Sequence, residues 1–196
     1  MNMLQERDQT LCTKDSRRMP SFFFSSFFME RMLVTDNCYT FRNIARWSRK
    51  IDIFAMKQLF FPINISNTHW TLAVICVPNK TISYYDSMSG SGRNYLQGLM
   101  QWLKDEAVDQ TKDAIKMKQR LGKSQEVVNA DEWKLISQPR GQVPQQSNGF
   151  DCGVFSIVCA DFLSDELPLN YSQQNMPYFR LKIACDIHRG HLTYSV

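Results

Sequence analysis

The apolar run WTLAVICV at residues 70–77 places the strongest constraint on how this chain folds. A strand with one face in water alternates apolar and polar residues, whereas a strand buried on both faces is apolar throughout. Only Thr71 interrupts this run, so it predicts a central strand. Residues 78–80 (PNK) predict a turn, and residues 81–85 (TISYY) predict the next strand. The sequence therefore predicts a hairpin in the middle of a sheet that is covered on both sides.

The remaining segments predict elements that would surround this hairpin. Helices are predicted at residues 22–34 (with Ser21 as N-cap), 39–50, 94–107, 154–163 and 180–188, and further strands at 59–65 and 133–137. The polar stretch 112–130 is interpreted as a helix continuation followed by a surface loop. This order of elements favours an α+β fold with one central mixed sheet flanked by helices.

Length and charge limit the class of protein. The 196 residues, 43% of them hydrophobic, fit one domain covering residues 1–196, since domains commonly hold about 100–200 residues. Residues 6–8 (ERD) lie where a signal peptide needs an apolar run, and no apolar stretch reaches the length of a membrane span. The net charge of +4 does not require a nucleic-acid partner.

The cysteines and histidines do not have the spacing of a metal site. The six cysteines include no C-x-x-C pair, and their spacing does not resemble a dense disulfide framework. Reduced thiols in the cytosol or nucleus are the favoured interpretation. His188 and His191 lie near the C-terminus without further candidate ligands, so no metal is predicted.

Cys152 occupies a position that suits a nucleophile. Gly149 allows a bend, and residues 151–153 (DCG) then lead into an apolar helix. The N-terminus of a helix stabilises an anion, so it favours the reactive thiolate form of a cysteine. Cys159, one heptad later on the same helix, is predicted to be inert core. Position alone also fits an ordinary buried thiol at residue 152.

His69 and Asp86 are expected at the same end of the predicted hairpin. If Cys76 lies opposite Asn79, His69 lies opposite Asp86, and a longer turn would shift His69 by two residues. A carboxylate beside an imidazole fixes its tautomer and stabilises the imidazolium, as in a catalytic triad. A histidine at a sheet edge that merely bonds a loop carboxylate fits the same geometry.

Gln146 precedes Cys152 by six residues, in a loop that Pro144 restricts. A side-chain amide at such a place could donate a hydrogen bond to the oxyanion of an acyl-transfer reaction. The spacing by itself fits a solvent-exposed loop glutamine equally well.

Three strings in this order resemble the Ulp/sentrin-specific cysteine proteases, which remove the ubiquitin-like modifier SUMO from conjugates and trim its precursor. The strings are FPINISNTHWTLAVI (61–75), ISYYDSMSG (82–90) and PQQSNGFDCGVF (144–155). The resemblance implies a papain-like cysteine-protease fold that needs neither a metal nor an organic cofactor. It also implies four catalytic roles: His69 as general base, Asp86 as its orienter, Cys152 as nucleophile and Gln146 as oxyanion donor.

The same resemblance implies a substrate-binding role for Trp70, as a lid over the modifier's C-terminal Gly-Gly. Ordinary packing at the start of a strand is the alternative. Catalytic domains of the family usually begin with a Trp-Leu-x-Asp-x-x-Ile-like stretch, whose tryptophan forms the other wall of the channel. The first tryptophan of this chain is Trp47, so the chain is expected to be a catalytic domain that is short at its front.

The function expected from the resemblance is a SUMO-specific protease that cuts isopeptide bonds and processes precursors. Its expected partners are SUMO or a related modifier and its conjugates, with no nucleic acid and no membrane. The protein is expected to be a monomer in the nucleus or the cytoplasm. The alternatives are a protease for NEDD8 or another ubiquitin-like modifier, an acetyltransferase with the same His/acid/Cys layout, and a catalytically silent modifier-binding domain.

Overall fold

The elements of secondary structure come from a computed structural model, which describes residues 1–34, 38–112 and 128–193. The helices are α1 (Asn2–Lys14), α2 (Phe27–Met32), α3 (Arg93–Lys112), α4 (Cys152–Ser164) and α5 (Met176–Arg189). The strands are β1 (Phe22–Phe23), β2 (Leu33–Val34), β3 (Cys38–Tyr39), β4 (Gln58–Ile65), β5 (His69–Cys76), β6 (Thr81–Tyr85) and β7 (Lys134–Ser137).

A five-stranded sheet forms the centre of the described fold, in the order β1-β4-β5-β6-β7. The inner pairs β4–β5 and β5–β6 are antiparallel, while the edge strands β1 and β7 run parallel to their neighbours. This arrangement confirms the predicted mixed sheet with β5 at its middle. β2 and β3 form a separate two-stranded ribbon.

Helices cover both faces of the sheet, which explains why β5 is apolar on both sides. Ala73 and Ile75 of β5 pack into the cluster that contains Trp102 of α3. Leu72 and Val74, which point the other way, pack against the cysteine and alanine of α4 at positions 159 and 160. The predicted helices at 94–107, 154–163 and 180–188 are thus confirmed as parts of α3, α4 and α5.

Pro62 is accommodated inside β4 because of where β1 ends. Backbone groups alternate sides along a strand, and Phe60 accepts a hydrogen bond on the β1 side from Phe24 N over 2.8 Å. The backbone nitrogen of Pro62 points to the same side, but Pro62 lies beyond the two residues of β4 that pair with β1. Its missing N–H therefore breaks no ladder hydrogen bond, as expected for proline at a partly unpaired edge.

The single helix predicted over residues 22–34 is wrong for most of its length. Phe22 and Phe23 instead form β1, and the Phe23 ring stacks on Phe60 with centroids 4.4 Å apart. Phenylalanine fits a buried sheet edge well, and the serines at 25 and 26 separate this strand from the short helix α2. Ser21 does not cap a helix: its N–H donates to the buried Asp8 carboxylate over 2.7 Å. The prediction that this segment supplies core residues is confirmed by Phe28, which is completely buried.

The α-helix predicted over residues 39–50 is also wrong. The structure has a short 3₁₀ turn at Phe41–Asn43, followed by further turns. The apolar residues that suggested the helix, Phe41, Ile44 and Trp47, recur every third residue, which is the period of a 3₁₀ turn rather than of an α-helix. Ile44 is nevertheless buried in the core.

Two further expectations concern the long polar stretch and membrane insertion. α3 continues to residue 112, and most of the stretch 112–130, with its predicted helix continuation and surface loop, lies outside the described residues. Within the described ranges, no helix combines the length and the apolar character that crossing a bilayer would require.

Candidate active site

His69 and Asp86 are in direct contact at one end of the sheet. His69 Nε2 lies 2.7 Å from Asp86 Oδ1, and Asp86 is buried. An ionised carboxylate can only accept a hydrogen bond, so the imidazole donates from Nε2. In the neutral ring this leaves Nδ1 without a proton, as a base whose orientation the carboxylate fixes.

The hairpin register differs from the simplest prediction, but the two residues still meet. The structure pairs Cys76 with Thr81 instead of Asn79, so each β5 residue meets a residue two positions further along β6. The last pair before the site is Leu72 with Tyr85. Asp86 is the residue after Tyr85, and its side chain reaches across the two-residue shift in register to contact His69.

The loop after β6 also holds the Asp86 carboxylate, through two backbone N–H groups. Met88 N donates to Oδ1 over 2.8 Å, and Gly90 N donates to Oδ2 over 2.9 Å. The backbone at Gly90 is so close that a Cβ there would overlap Oδ2. Glycine is therefore required at this position for the carboxylate to keep its orientation.

Cys152 is the first residue of α4, as the sequence predicts, and it directly follows the loop that contains Gln146. The preceding Asp151 is the N-cap residue but makes no side-chain cap to the helix. Cys152 thus lies at the positive end of the helix dipole. Cys159, further along α4, is buried, and burial raises the pKa of its thiol well above the ordinary value. Of these two cysteines, Cys152 has the surroundings of a nucleophile.

The Asp151 carboxylate is buried and is held by side chains from three segments. Asn148 Nδ2, Gln173 Nε2 and Arg180 Nε each donate to it over 2.7 Å. Burial alone would raise the pKa of Asp151, but these hydrogen bonds outweigh it and hold the pKa below the usual range. The carboxylate is therefore an anion that fixes the loop in front of Cys152.

Gln146 is held in a defined orientation. Its Oε1 accepts from Ser87 Oγ over 2.6 Å, its Nε2 donates to the Asn148 carbonyl, and its backbone N donates to Ser87 O over 3.0 Å. These bonds join the loop before Cys152 to the residue that follows Asp86. They use one of the two protons on the Gln146 amide nitrogen.

Trp70, the residue after His69, lies against the start of the helix that begins with Cys152. A Cβ built on Gly153 would lie 3.5 Å from Trp70 Cδ1, so the indole ring rests against the residue that follows Cys152. An open groove of about 580 Å³ begins at this contact, with Phe23 and Pro62 also in its wall. The ring therefore contacts the residue that follows Cys152 and lies at the edge of a groove.

Sequence reasoning missed several residues that support this site. Asn148 and Asp151 lie inside the string that carries the resemblance, and Ser87 follows the predicted acid, so their positions were available as a signal. Gln173 and Arg180 lie on other segments, and nothing in their local sequence connects them to the loop.

Among residues 1–34, 38–112 and 128–193, no cluster of three or more His, Cys, Asp or Glu side chains could hold a metal ion. All five cysteines whose side chains the structure describes are free thiols. That the reaction needs no cofactor stays a prediction.

Comparison with known proteins gives one consistent family. The model of the Ulp1 protease family, C-terminal catalytic domain, matches residues 1–191. The chain is 33% identical over 194 residues to the ubiquitin-like-specific protease ESD4 of Arabidopsis thaliana, covering 96% of this chain and 35% of that protein. It is 30% identical over 188 residues to human sentrin-specific protease 2, covering 95% of this chain and 28% of that protein. The chain thus spans about a third of the length of these relatives.

Solved structures agree with the fold. The Ulp1-like SUMO protease catalytic domain of Chaetomium thermophilum superposes with a TM-score of 0.74 at 26% identity, covering 98% of this chain and 71% of that one. The yeast Ulp1 protease domain, solved in complex with Smt3, gives a TM-score of 0.69 at 23% identity, covering 94% and 74%. These likenesses confirm the predicted α+β, papain-like architecture. This chain belongs to the Ulp1 family of cysteine proteases and matches that family's C-terminal catalytic domain.

Proposed function

We propose that this protein is a SUMO-specific cysteine protease that cleaves after the modifier's C-terminal Gly-Gly, both at isopeptide bonds and in precursors. The observation that carries the proposal is the Trp70 ring resting on Gly153. This contact joins the strand that bears His69 to the helix that begins with Cys152.

The chemistry would begin with proton transfer from the Cys152 thiol to His69 Nδ1, the nitrogen that Asp86 leaves free. The thiolate would attack the carbonyl carbon of the modifier's last glycine. The negative oxygen that forms would be bound by the Cys152 N–H and by the second amide proton of Gln146. Collapse of this intermediate would break the C–N bond, and His69 would give its proton to the departing lysine amine.

A water molecule would then release the modifier. His69, neutral again, would take a proton from the water as it attacks the thioester carbonyl. The products would be the free modifier carboxylate and the regenerated thiol. Asp86 would stabilise the imidazolium in both halves of the reaction without itself taking a proton.

The proposed substrate follows from Trp70 and from the relatives. A tail that passes between the indole ring and the backbone near Gly153 would have to be narrow, which favours glycine residues without a Cβ. Human sentrin-specific protease 2 is named for sentrin, and the yeast Ulp1 domain was solved with Smt3, the yeast ortholog of SUMO. Much of the binding energy would come from the folded body of the modifier, which lies outside the cleavage site.

The test is cleavage of matched precursors of SUMO, NEDD8 and ubiquitin, with Cys152→Ala as the inactive control. The proposal predicts that SUMO precursor is cut after Gly-Gly and that the control cuts none. Cleavage of NEDD8 precursor alone would identify NEDD8, and not SUMO, as the substrate. Binding of SUMO without cleavage by the wild-type protein would indicate a catalytically silent domain and overturn the proposal.

A further inference from the structure

Arg180 on α5 contacts both residues that precede Cys152. Its Nε donates to Asp151 Oδ1 over 2.7 Å, and its Nη2 donates to the same oxygen and, over 2.9 Å, to the Phe150 carbonyl. Its guanidinium carbon also lies 5.7 Å from the centroid of the exposed Phe150 ring. One side chain thus binds a carboxylate, a backbone carbonyl and an aromatic ring immediately before the nucleophile.

The other carboxylate oxygen of Asp151 completes this junction. Oδ2 accepts from Asn148 Nδ2 and from Gln173 Nε2, each over 2.7 Å. Gln173 Oε1 in turn accepts from Ser147 N over 2.8 Å. The loop before α4 is therefore tied through side chains to the segment that leads into α5.

The junction buries a negative charge on the residue that directly precedes Cys152. Asp151 is held in its ionised form, and Asn148 and Gln173 are neutral, so Arg180 is the partner whose charge balances the carboxylate. An unbalanced anion beside a thiol disfavours the thiolate. Removing the cation of a buried ion pair also leaves an uncompensated charge, which destabilises the structure around the carboxylate.

The other charged side chains on α1, β5 and α5 either pair away from Asp151 or are exposed. β4 has no charged residue, and β5 brings His69, which is paired with Asp86. The ion pairs made by these elements include Arg7 of α1 with Asp161 and Asp165, Arg18 with Asp8 and Asp165, and Lys182 of α5 with Asp186. Among the described residues, these pairs lie toward the far end of α4 or along α5. Arg180 binds at the nucleophile end.

We propose that Arg180 is a positioning residue for the nucleophile, fixing the Phe150–Asp151 backbone from which Cys152 enters α4 and balancing the carboxylate charge beside the thiol. The inference rests on the proposed function only for the role of Cys152. It places a determinant of reactivity on the last helix, 28 residues beyond the cysteine in the sequence.

The test follows two readouts in Arg180→Gln, Arg180→Lys, the double variant Asp151→Asn/Arg180→Gln, and Arg189→Gln. Arg189 is exposed at the end of the same helix and serves as the matched control. The first readout is the rate at which iodoacetamide alkylates Cys152 as a function of pH, followed by peptide mass spectrometry. The second is kcat and KM on SUMO precursor, with thermal unfolding recorded for every variant.

We expect Arg180→Gln to move the half-maximal pH of alkylation upward by about one unit and to lower kcat about tenfold, with KM little changed. Arg180→Lys should restore the alkylation profile, because it keeps the charge, but not the full kcat. The double variant should return the alkylation profile toward wild type, because it removes the carboxylate charge. Arg189→Gln should behave as wild type in both readouts.

A variant Arg180→Gln that lowers only the melting temperature, with an unchanged alkylation profile and kcat, would overturn the proposal. A double variant whose profile stays shifted would overturn the charge-balancing part. If the glutamine variant does not fold, Arg180→Lys decides: a lowered kcat supports the positioning role, and an unchanged kcat contradicts it. Alkylation needs no modifier, so an absence of SUMO cleavage would remove the proposed function without affecting this readout.

Discussion

The candidate active site has two halves that are built in different ways. The sheet half, His69 with Asp86, is set by the antiparallel pairing of β5 and β6 and by backbone N–H groups of the following loop. The loop half, residues 146–152, is held by side-chain hydrogen bonds from residues far along the chain, notably Arg180.

The two halves therefore differ in the positions at which they tolerate substitution. In the sheet half, the positions of His69 and Asp86 depend on strand pairing and backbone hydrogen bonds, which tolerate many side chains except at Gly90. In the loop half, Gln146, Asn148 and Asp151 depend on particular amide, hydroxyl or guanidinium groups. We therefore expect substitutions in the sheet half to act directly on the base, and substitutions in the loop half to act through misplacement of the nucleophile or the oxyanion donors.

The largest effect should come from Asp86→Asn in the sheet half. An amide cannot stabilise the imidazolium as a carboxylate does, and its own protons compete for the position now taken by the His69 Nε2 proton. We expect kcat on SUMO precursor to fall on the order of 10⁴-fold with the fold retained. Asp131→Asn, at an exposed carboxylate, is the control. A kcat within tenfold of wild type would remove Asp86 from the orienting role.

The loop half is probed most directly by Gln146→Ala. Loss of the amide removes one oxyanion donor and also the bonds to Ser87 and Asn148. Turnover should slow by roughly 10²–10³-fold, with a smaller change in KM. The exposed Gln142→Ala on the same loop should leave steady-state rates at the wild-type level. Near-normal kcat in the Gln146 variant would exclude the oxyanion role.

Two glycines offer a matched comparison of the halves. A methyl group at Gly90 would overlap the Asp86 carboxylate, whereas one at Gly149 would meet no atom within 4 Å. Gly90→Ala should lower kcat about ten- to hundredfold and the free energy of unfolding by about 1–3 kcal/mol. Gly149→Ala should change neither by a comparable amount. Denaturant unfolding with parallel kinetics measures both, and equal effects at the two positions would contradict the close approach at Gly90.

The smallest effect concerns acid stability. In the folded state the pKa of Asp151 is below its ordinary value of about 3.9. The ionised carboxylate therefore adds to the free energy of unfolding above that pH, and this contribution is lost as the pH falls through the lower folded pKa. Asp151→Asn carries no charge at any pH. The unfolding free energy of this variant should therefore fall less between pH 5 and pH 2 than that of wild type. Parallel curves for the two proteins would contradict the depressed pKa.

The sheet half could be predicted because its determinants are local. The apolar run at 70–77 and the turn at 78–80 bring His69 and Asp86 to one end of the sheet even though the register was uncertain by two residues. The structure confirms that hairpin and the contact between them. The catalytic roles of these residues stay predictions.

The parts that could not be predicted depend on tertiary contacts. Phe22 and Phe23 have a pattern that suits a helix or a strand, and only the neighbouring edge of β4 selects the strand. Arg180 has the sequence context of an ordinary helix surface, and only the folding of α5 against α4 brings it to Asp151. No periodicity within either segment contains this information.

The most direct test of the central claim is to identify which cysteine reacts with SUMO carrying a C-terminal electrophile. Peptide mapping after the reaction compares Cys152 with the other free thiols, including the buried Cys159, in one experiment. The account predicts a single adduct on Cys152 that Cys152→Ala abolishes and Asp86→Asn slows. An adduct on any other cysteine, or one that persists in Cys152→Ala, would contradict it.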